Sequence, residues 1–254
     1  MYLITGGCSF TTSNFKSIQF PDYDCNFSKW PELIQGNWSK VINTGRSGTS
    51  NKEIIQKVTE QVLLRSDIST VVIAFTDWYR YPMPDGITIN PAWTLRNHTD
   101  YTGDMLVLYK KLQRYEEIFP TGYKSIRRQI ADMLISLYAL IELCVAKGIA
   151  FVGFQMLDFN GISPVQKFND YIQQTFISHK VFHAIDRLQS KGSIQMLNWP
   201  FINNLSTSLD TYMWNATRLA NHNKYYYRIG PKDPHPNKFG QVFFSEWIMQ
   251  NAEL

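Results

Sequence analysis

Ser9 stands where a short apolar run, Met1 to Ile4, breaks into Thr5-Gly6-Gly7-Cys8-Ser9. Three chemistries begin this way: a phosphate cradle, a helix cap and an activated nucleophile. The cradle lacks its parts. A Walker loop needs Gly-Lys-Ser/Thr, but the first lysine is Lys16. A dinucleotide fingerprint needs a third spaced glycine. The cap stays open, since Ser9 or Thr11 has an oxygen for the free N–H groups of a helix start. The nucleophile needs partners, because a serine hydroxyl attacks only when a histidine takes its proton and an acid orients that histidine. The chain has five histidines. His179 and His183 are one helical turn apart, a metal-ligand spacing, but no third ligand is evident and packing or surface roles account for them. His98 and His222 sit in polar stretches without a supporting pattern. His235 lies between Pro234 and Pro236, two residues after Asp233. The prolines stiffen the loop, and the short spacing lets the carboxylate reach the ring. Cys8, a thiol at the same turn, is the rival nucleophile to Ser9.

These residues need a scaffold, and the apolar pattern supplies one. Tyr2–Thr5 reads as a strand, 27–34 as a helix around Trp30, and Lys40–Asn43 as a second strand. Ser50 and Glu53 form a capping box for a helix over 50–64, with Ile54, Val58 and Val62 on one face. Thr70–Phe75 is apolar on both faces, as buried parallel strands are. The stretch of about 81–122 is rich in Pro, Gly, Asp and aromatics and reads as an insertion at the sheet edge, with one helical piece near 105–115. A long helix over 125–147 ends at Gly148, a fourth strand follows over 149–157, helices over 165–176 and 181–189, and a fifth strand over 193–198. A polar, Asn-rich stretch leads to Asp233, and a last helix runs over 238–250. Alternating strands and helices with apolar strands predict a doubly wound parallel sheet. Such folds build sites from loops at the carboxyl ends of their strands, and Ser9, Gly48 and Thr76 all follow strands directly.

Three blocks, Gly7-Cys8-Ser9-Phe10, Asn43-Thr44-Gly45-Arg46-Ser47-Gly48 and Asp233-Pro234-His235-Pro236-Asn237-Lys238-Phe239-Gly240, occur in this order over nearly the whole chain. Together they resemble the SGNH (GDSL-type) hydrolase superfamily. The resemblance implies a flavodoxin-like three-layer α/β/α sandwich with a five-stranded parallel sheet, here a single domain over 1–254 carrying the insertion at about 81–122. It implies a carboxylic ester hydrolase that uses no metal or organic cofactor. Carried over, Ser9 is the nucleophile, His235 the base and Asp233 its orienting acid. The oxyanion hole falls to the amides of Ser9 and Gly48, with Thr76 where the family carries asparagine. Arg80, Asp77 and Trp78 are candidate substrate contacts. Two departures stand out: Thr76 replaces that asparagine, and Asp-x-His replaces Asp-x-x-His, putting Lys232 in the usual acid position.

Bulk properties narrow the partners. A chain of 254 residues, 44% hydrophobic and 18% charged, has an ordinary globular balance. Its net charge of +4 is spread without a basic block, so nucleic acid is not expected as a partner. Three cysteines, Cys8, Cys25 and Cys144, make no disulfide framework and fit a reducing compartment. The start of the chain has no secretory pattern. The longest apolar stretch, 130–146, is interrupted by Asp132 and Glu142, so membrane insertion is not expected. The expected location is cytoplasmic or virion-associated. The first functional reading is a serine esterase acting on a small acyl group of a carbohydrate, since the 15% aromatic share offers sugar-stacking surface. The second is an SGNH-fold binding or structural module, with virion proteins or further copies of the chain as partners. Phage-encoded members of the superfamily, the altered third block and the aromatic insertion motivate it.

Overall fold

A computed structural model describes residues 1–36, 38–76, 80–82, 88–89, 110, 123–157, 174–197, 208–220, 223, 225–230 and 233–254. The 81–122 insertion therefore lies almost wholly outside the described residues. So do Asp77, Trp78, His98, His222, Lys232 and the helix expected over 165–176, apart from a helical turn at 174–177.

Five strands form one parallel sheet: β1 (Tyr2–Gly6), β2 (Lys40–Asn43), β3 (Ile68–Phe75), β6 (Ala150–Gln155) and β7 (Gln195–Leu197), in the order β2-β1-β3-β6-β7. Outside it are two antiparallel pairs, β4 (Tyr81–Pro82) with β5 (Thr88–Ile89), and β8 (Arg228–Gly230) with β9 (Asp233–Pro236). The helices are α1 (Trp30–Leu33), α2 (Asn51–Leu64), α3 (Tyr123–Ala146), α4 (Lys180–Ser190), α5 (Leu209–Leu219) and α6 (Lys238–Asn251).

Side chains alternate across the pleat, so each strand feeds two cores. Ile4, Val71, Ile73, Phe75 and Phe151 face one layer, packed with Ile54 and Val58 of α2, Leu134 and Ile141 of α3, and Ile185 of α4. Leu3, Val72, Ala74, Val152 and Phe154 face the other, with Trp30 of α1, Met213 of α5 and Phe244 and Ile248 of α6. Helices on both faces of a parallel sheet make the three layers expected.

Where sequence and structure differ, local chemistry explains it. The first helix is only Trp30–Leu33, because Lys29 is its N-cap and Phe27 N–H bonds the Cys25 carbonyl instead. The polar stretch after the fifth strand contains α5, which starts at Ser208, whose hydroxyl accepts from Thr211 N–H at 3.1 Å. The stretch Arg127–Ala146 does have the length and composition of a membrane span despite Asp132 and Glu142. Its apolar residues Ile130, Leu134, Leu137 and Ile141 are fully buried against the sheet, which explains its character.

Phe154 is fully buried, with Trp30 and Trp247 ring centroids at 5.6 and 6.1 Å. Phe154→Ala is expected to lower the unfolding free energy by about 3–5 kcal/mol, measured by urea denaturation.

Candidate active site

The turn after β1 holds Ser9 in a fixed pose. The Cys8 carbonyl accepts the N–H groups of Thr11 at 2.9 Å and Thr12 at 3.2 Å. A Cβ on Gly7 would collide with the Thr11 side chain, so this position has room only for glycine. Cys8 and Phe10 point into the core, 0% and 4% exposed, leaving Ser9 half-buried between them. Gln241 of α6 pins the turn from behind, its Nε2 donating to the Phe10 carbonyl at 3.1 Å while its Oε1 accepts Trp30 N–H at 2.9 Å. Neither candidate cap oxygen caps a helix: Thr11 Oγ1 accepts from Trp30 Nε1 at 3.2 Å, and the partner of Ser9 Oγ is His235.

The β8–β9 ribbon carries the histidine. His235 Nε2 lies 2.8 Å from Ser9 Oγ, and His235 Nδ1 lies 2.5 Å from Asp233 Oδ1. The carboxylate can only accept, so Nδ1 carries the proton and Nε2 is free to accept the Ser9 hydroxyl. The two-residue spacing works because Asp233 Oδ1 also accepts the His235 backbone N–H at 3.0 Å. This Asx-type contact curls the side chain toward the ring of its own second neighbour. The other carboxylate oxygen, Oδ2, accepts the hydroxyl of Ser17. Phe15 stacks on the imidazole with centroids 4.1 Å apart, and Phe10 flanks it at 5.0 Å. The ribbon is tied down by Arg228, which donates to both Asp210 oxygens at 3.0 and 3.1 Å and to the Pro234 carbonyl at 3.2 Å. Asn237 caps α6 through Gly240 N–H at 3.0 Å, while its amide donates to the carbonyls of Tyr226 and Arg228.

Two further strand ends carry the remaining candidates. In the loop after β2, Arg46 N–H bonds the Gly7 carbonyl at 3.1 Å, and the Asn43 amide donates to the Thr11 carbonyl at 2.8 Å. Gly48 closes this loop at φ +74°, a left-handed conformation that favours glycine. Among the described residues, the amides of Ser9 and Gly48 have no hydrogen-bond acceptor. Thr76 follows β3, the strand beside β1. Its N–H donates to Asn51 Oδ1 at 2.8 Å, and its carbonyl accepts from Asn51 and Gln155 at 3.0 Å each. Its hydroxyl is fully buried and, among the described residues, unpartnered. Arg80 lies beside the second loop, donating to the Thr49 carbonyl at 3.3 Å. The first helix after β1, α1, lies on one face of the sheet and α3, which follows β3 in the chain, on the other, so β1 and β3 flank a topological switch point.

Sequence reasoning missed Ser17, Phe15, Asn51 and Gln155. Asn51 follows the capping Ser50 and looks like an ordinary first-turn residue. Ser17 and Phe15 lie in a segment without periodicity. The remaining candidates have structural places: His179 caps α4 through Nδ1, 3.3 Å from Val181 N–H, and His183 packs on Phe182. Cys8, Cys25 and Cys144 are buried free thiols, and burial pushes Cys144 up to about 12. Among the described residues, no three His, Cys, Asp or Glu side chains form a cluster able to hold a metal.

No protein-family model matches the sequence, and no curated protein is significantly similar to it. Solved structures are similar in fold. An acetylxylan esterase from Geobacillus stearothermophilus shares 11% identity at a TM-score of 0.50, over 98% of this chain and 92% of that one. A single-residue variant of that esterase gives a TM-score of 0.51 at 11% identity, over 100% and 94%. A member of the lipolytic G-D-S-L family from Veillonella parvula gives 0.46 at 11% identity, over 98% and 96%. The sheet order, the two helical layers and this full-length likeness define the architecture. The chain has the SGNH hydrolase fold.

Burial alone would raise the Asp233 carboxyl, but hydrogen bonds and charge from His235, with the Ser17 hydroxyl, outweigh it and hold the group below the usual carboxylate range. The depressed folded value adds stability above the unfolded value of about 3.9, and that stability is lost as pH falls through the folded value. The stability gap between the protein and its Asp233→Asn variant, followed by urea unfolding, is expected to be open at pH 7 and to narrow below about pH 4.

Proposed function

We propose that this protein is a serine esterase of the SGNH type that removes a small acyl group, such as acetyl, from a carbohydrate. The observation that carries the reading is the hydrogen-bonded line from Asp233 through His235 to Ser9 Oγ, at 2.5 and 2.8 Å. Ser9 gives its proton to His235 Nε2 as its oxygen bonds the ester carbonyl carbon. Asp233 holds the ring and balances the imidazolium. The carbonyl oxygen, now negative, accepts the amides of Ser9 and Gly48 and the Thr76 hydroxyl. When the intermediate collapses, His235 returns the proton to the departing sugar oxygen and leaves an acyl–Ser9 ester. Water then repeats the sequence and frees the acid and Ser9. Thr76 contributes only its side chain, since its N–H is committed to Asn51. The substrate class is supported by the fold shared with an acetylxylan esterase.

A second reading, an SGNH-fold binding or virion module without turnover, is favoured by the threonine at position 76, which has a shorter reach than asparagine. Covalent labelling of Ser9 by a fluorophosphonate probe decides between them. Ser9→Ala is expected to lower p-nitrophenyl acetate turnover by about 10⁴- to 10⁶-fold; unchanged turnover would sink the esterase reading. Thr76→Val keeps the shape and removes the donor. It is expected to cut kcat by about 10²-fold with little change in KM, measured by steady-state kinetics.

A further inference from the structure

We propose that Ser17 is a positioning residue for Asp233, the fourth member of a line running Ser17–Asp233–His235–Ser9; the inference rests on the esterase reading. The hydroxyl of Ser17 is aimed by both its neighbours. Its oxygen accepts Phe20 N–H at 2.9 Å, so its proton is left for Asp233 Oδ2, which can only accept. Both residues are buried, Ser17 5% and Asp233 3% exposed. The carboxylate is thereby used at both ends: Oδ1 on the His235 ring and backbone, Oδ2 on Ser17.

This fourth contact answers a geometric need. With one residue fewer between acid and base, the Asp233 side chain must turn back on its own strand. An Asx-type contact leaves its second oxygen facing away from the ring, where a fixed donor stops the carboxylate from rotating. The donor arrives on a strap. Phe15 stacks on His235 at 4.1 Å, Ser17 meets Asp233, and the Phe20 ring lies against Gly230, whose added Cβ would come within 2.8 Å of it. Gly230 is the register partner of Asp233 in the ribbon, so the strap is seated on the same backbone that carries the acid. Among the described residues, the groups facing the pair from the first segment are Ser9, Phe10, Phe15 and Ser17, and the charged neighbour on the ribbon is Arg228, engaged with Asp210; Lys16 is exposed.

The test uses the full chain carrying Ser17→Ala, Ser17→Cys or Ser17→Thr, with two readouts. One is the pH profile of p-nitrophenyl acetate hydrolysis. The other is the NMR titration of the His235 ring protons, which needs no turnover. Without the Ser17 donor the carboxylate holds the histidine proton more strongly. Ser17→Ala and Ser17→Cys are therefore expected to raise the His235 midpoint and to lower kcat about 10- to 100-fold at nearly constant KM. Ser17→Thr keeps the hydroxyl and is expected to restore both. A midpoint that is unmoved or falls, or loss of thermal stability as the sole change, overturns the proposal. If Ser17→Ala does not fold, Ser17→Cys, similar in volume but a weak donor, carries the same outcomes. A parent chain that neither hydrolyses the ester nor takes up a fluorophosphonate defeats the esterase reading. The His235 titration then still upholds the Ser17 contact if it rises in the variants and overturns it if it does not.

Discussion

The contact between His235 and Ser9 joins residues 226 positions apart, and it depends on how the β8–β9 ribbon is held against the turn after β1. One partner rides just past the carboxyl end of β1, an inner strand of the parallel sheet. The other rides on a two-stranded ribbon that is not part of that sheet. An isolated ribbon is marginal in water, so its placement depends on anchors: Arg228 to Asp210 and Asn237 to the Arg228 carbonyl hold the ribbon, and Gln241 from α6 holds the turn after β1. Gln241 is the most economical of these, because one buried amide links the turn, α1 and α6.

The two departures from the superfamily pattern are accommodated differently. The shortened Asp-x-His spacing is resolved by backbone geometry, through the Asp233 contact to His235 N–H, and by a donor from a distant segment. The threonine at position 76 is resolved by a clamp. Asn51 and Gln155 hold its backbone on both sides, so what changes at that position is the reach of the side chain and not the path of the chain.

Legibility in the sequence followed the physics of each element. The strands β2 and β3 and the helix α2 were readable because apolar period and capping chemistry agree there, down to Ser50 and Glu53. Ser9, His235 and Asp233 were singled out by the resemblance of three short blocks to the SGNH pattern, since the first turn alone reads equally as a helix cap; the structure joins their side chains in one hydrogen-bonded line. Helix α5 was not, because its sequence, with Asp210, Thr211, Asn215 and Thr217, looks like a loop until its buried Leu209 and Met213 find α6. Ser17 and Asn51 were invisible for a different reason. Their importance lies wholly in partners 216 and 25 residues away, and nothing in local sequence records such a partner.

The ribbon's position late in the chain has a consequence during synthesis. A ribosome adds roughly 5–20 residues per second, so Ser9 emerges about 10–45 s before the histidine that pairs with it. Through that interval the hydroxyl is an ordinary alcohol, no more reactive than water. The proposed nucleophile therefore gains its base only when the ribbon docks beside the turn after β1.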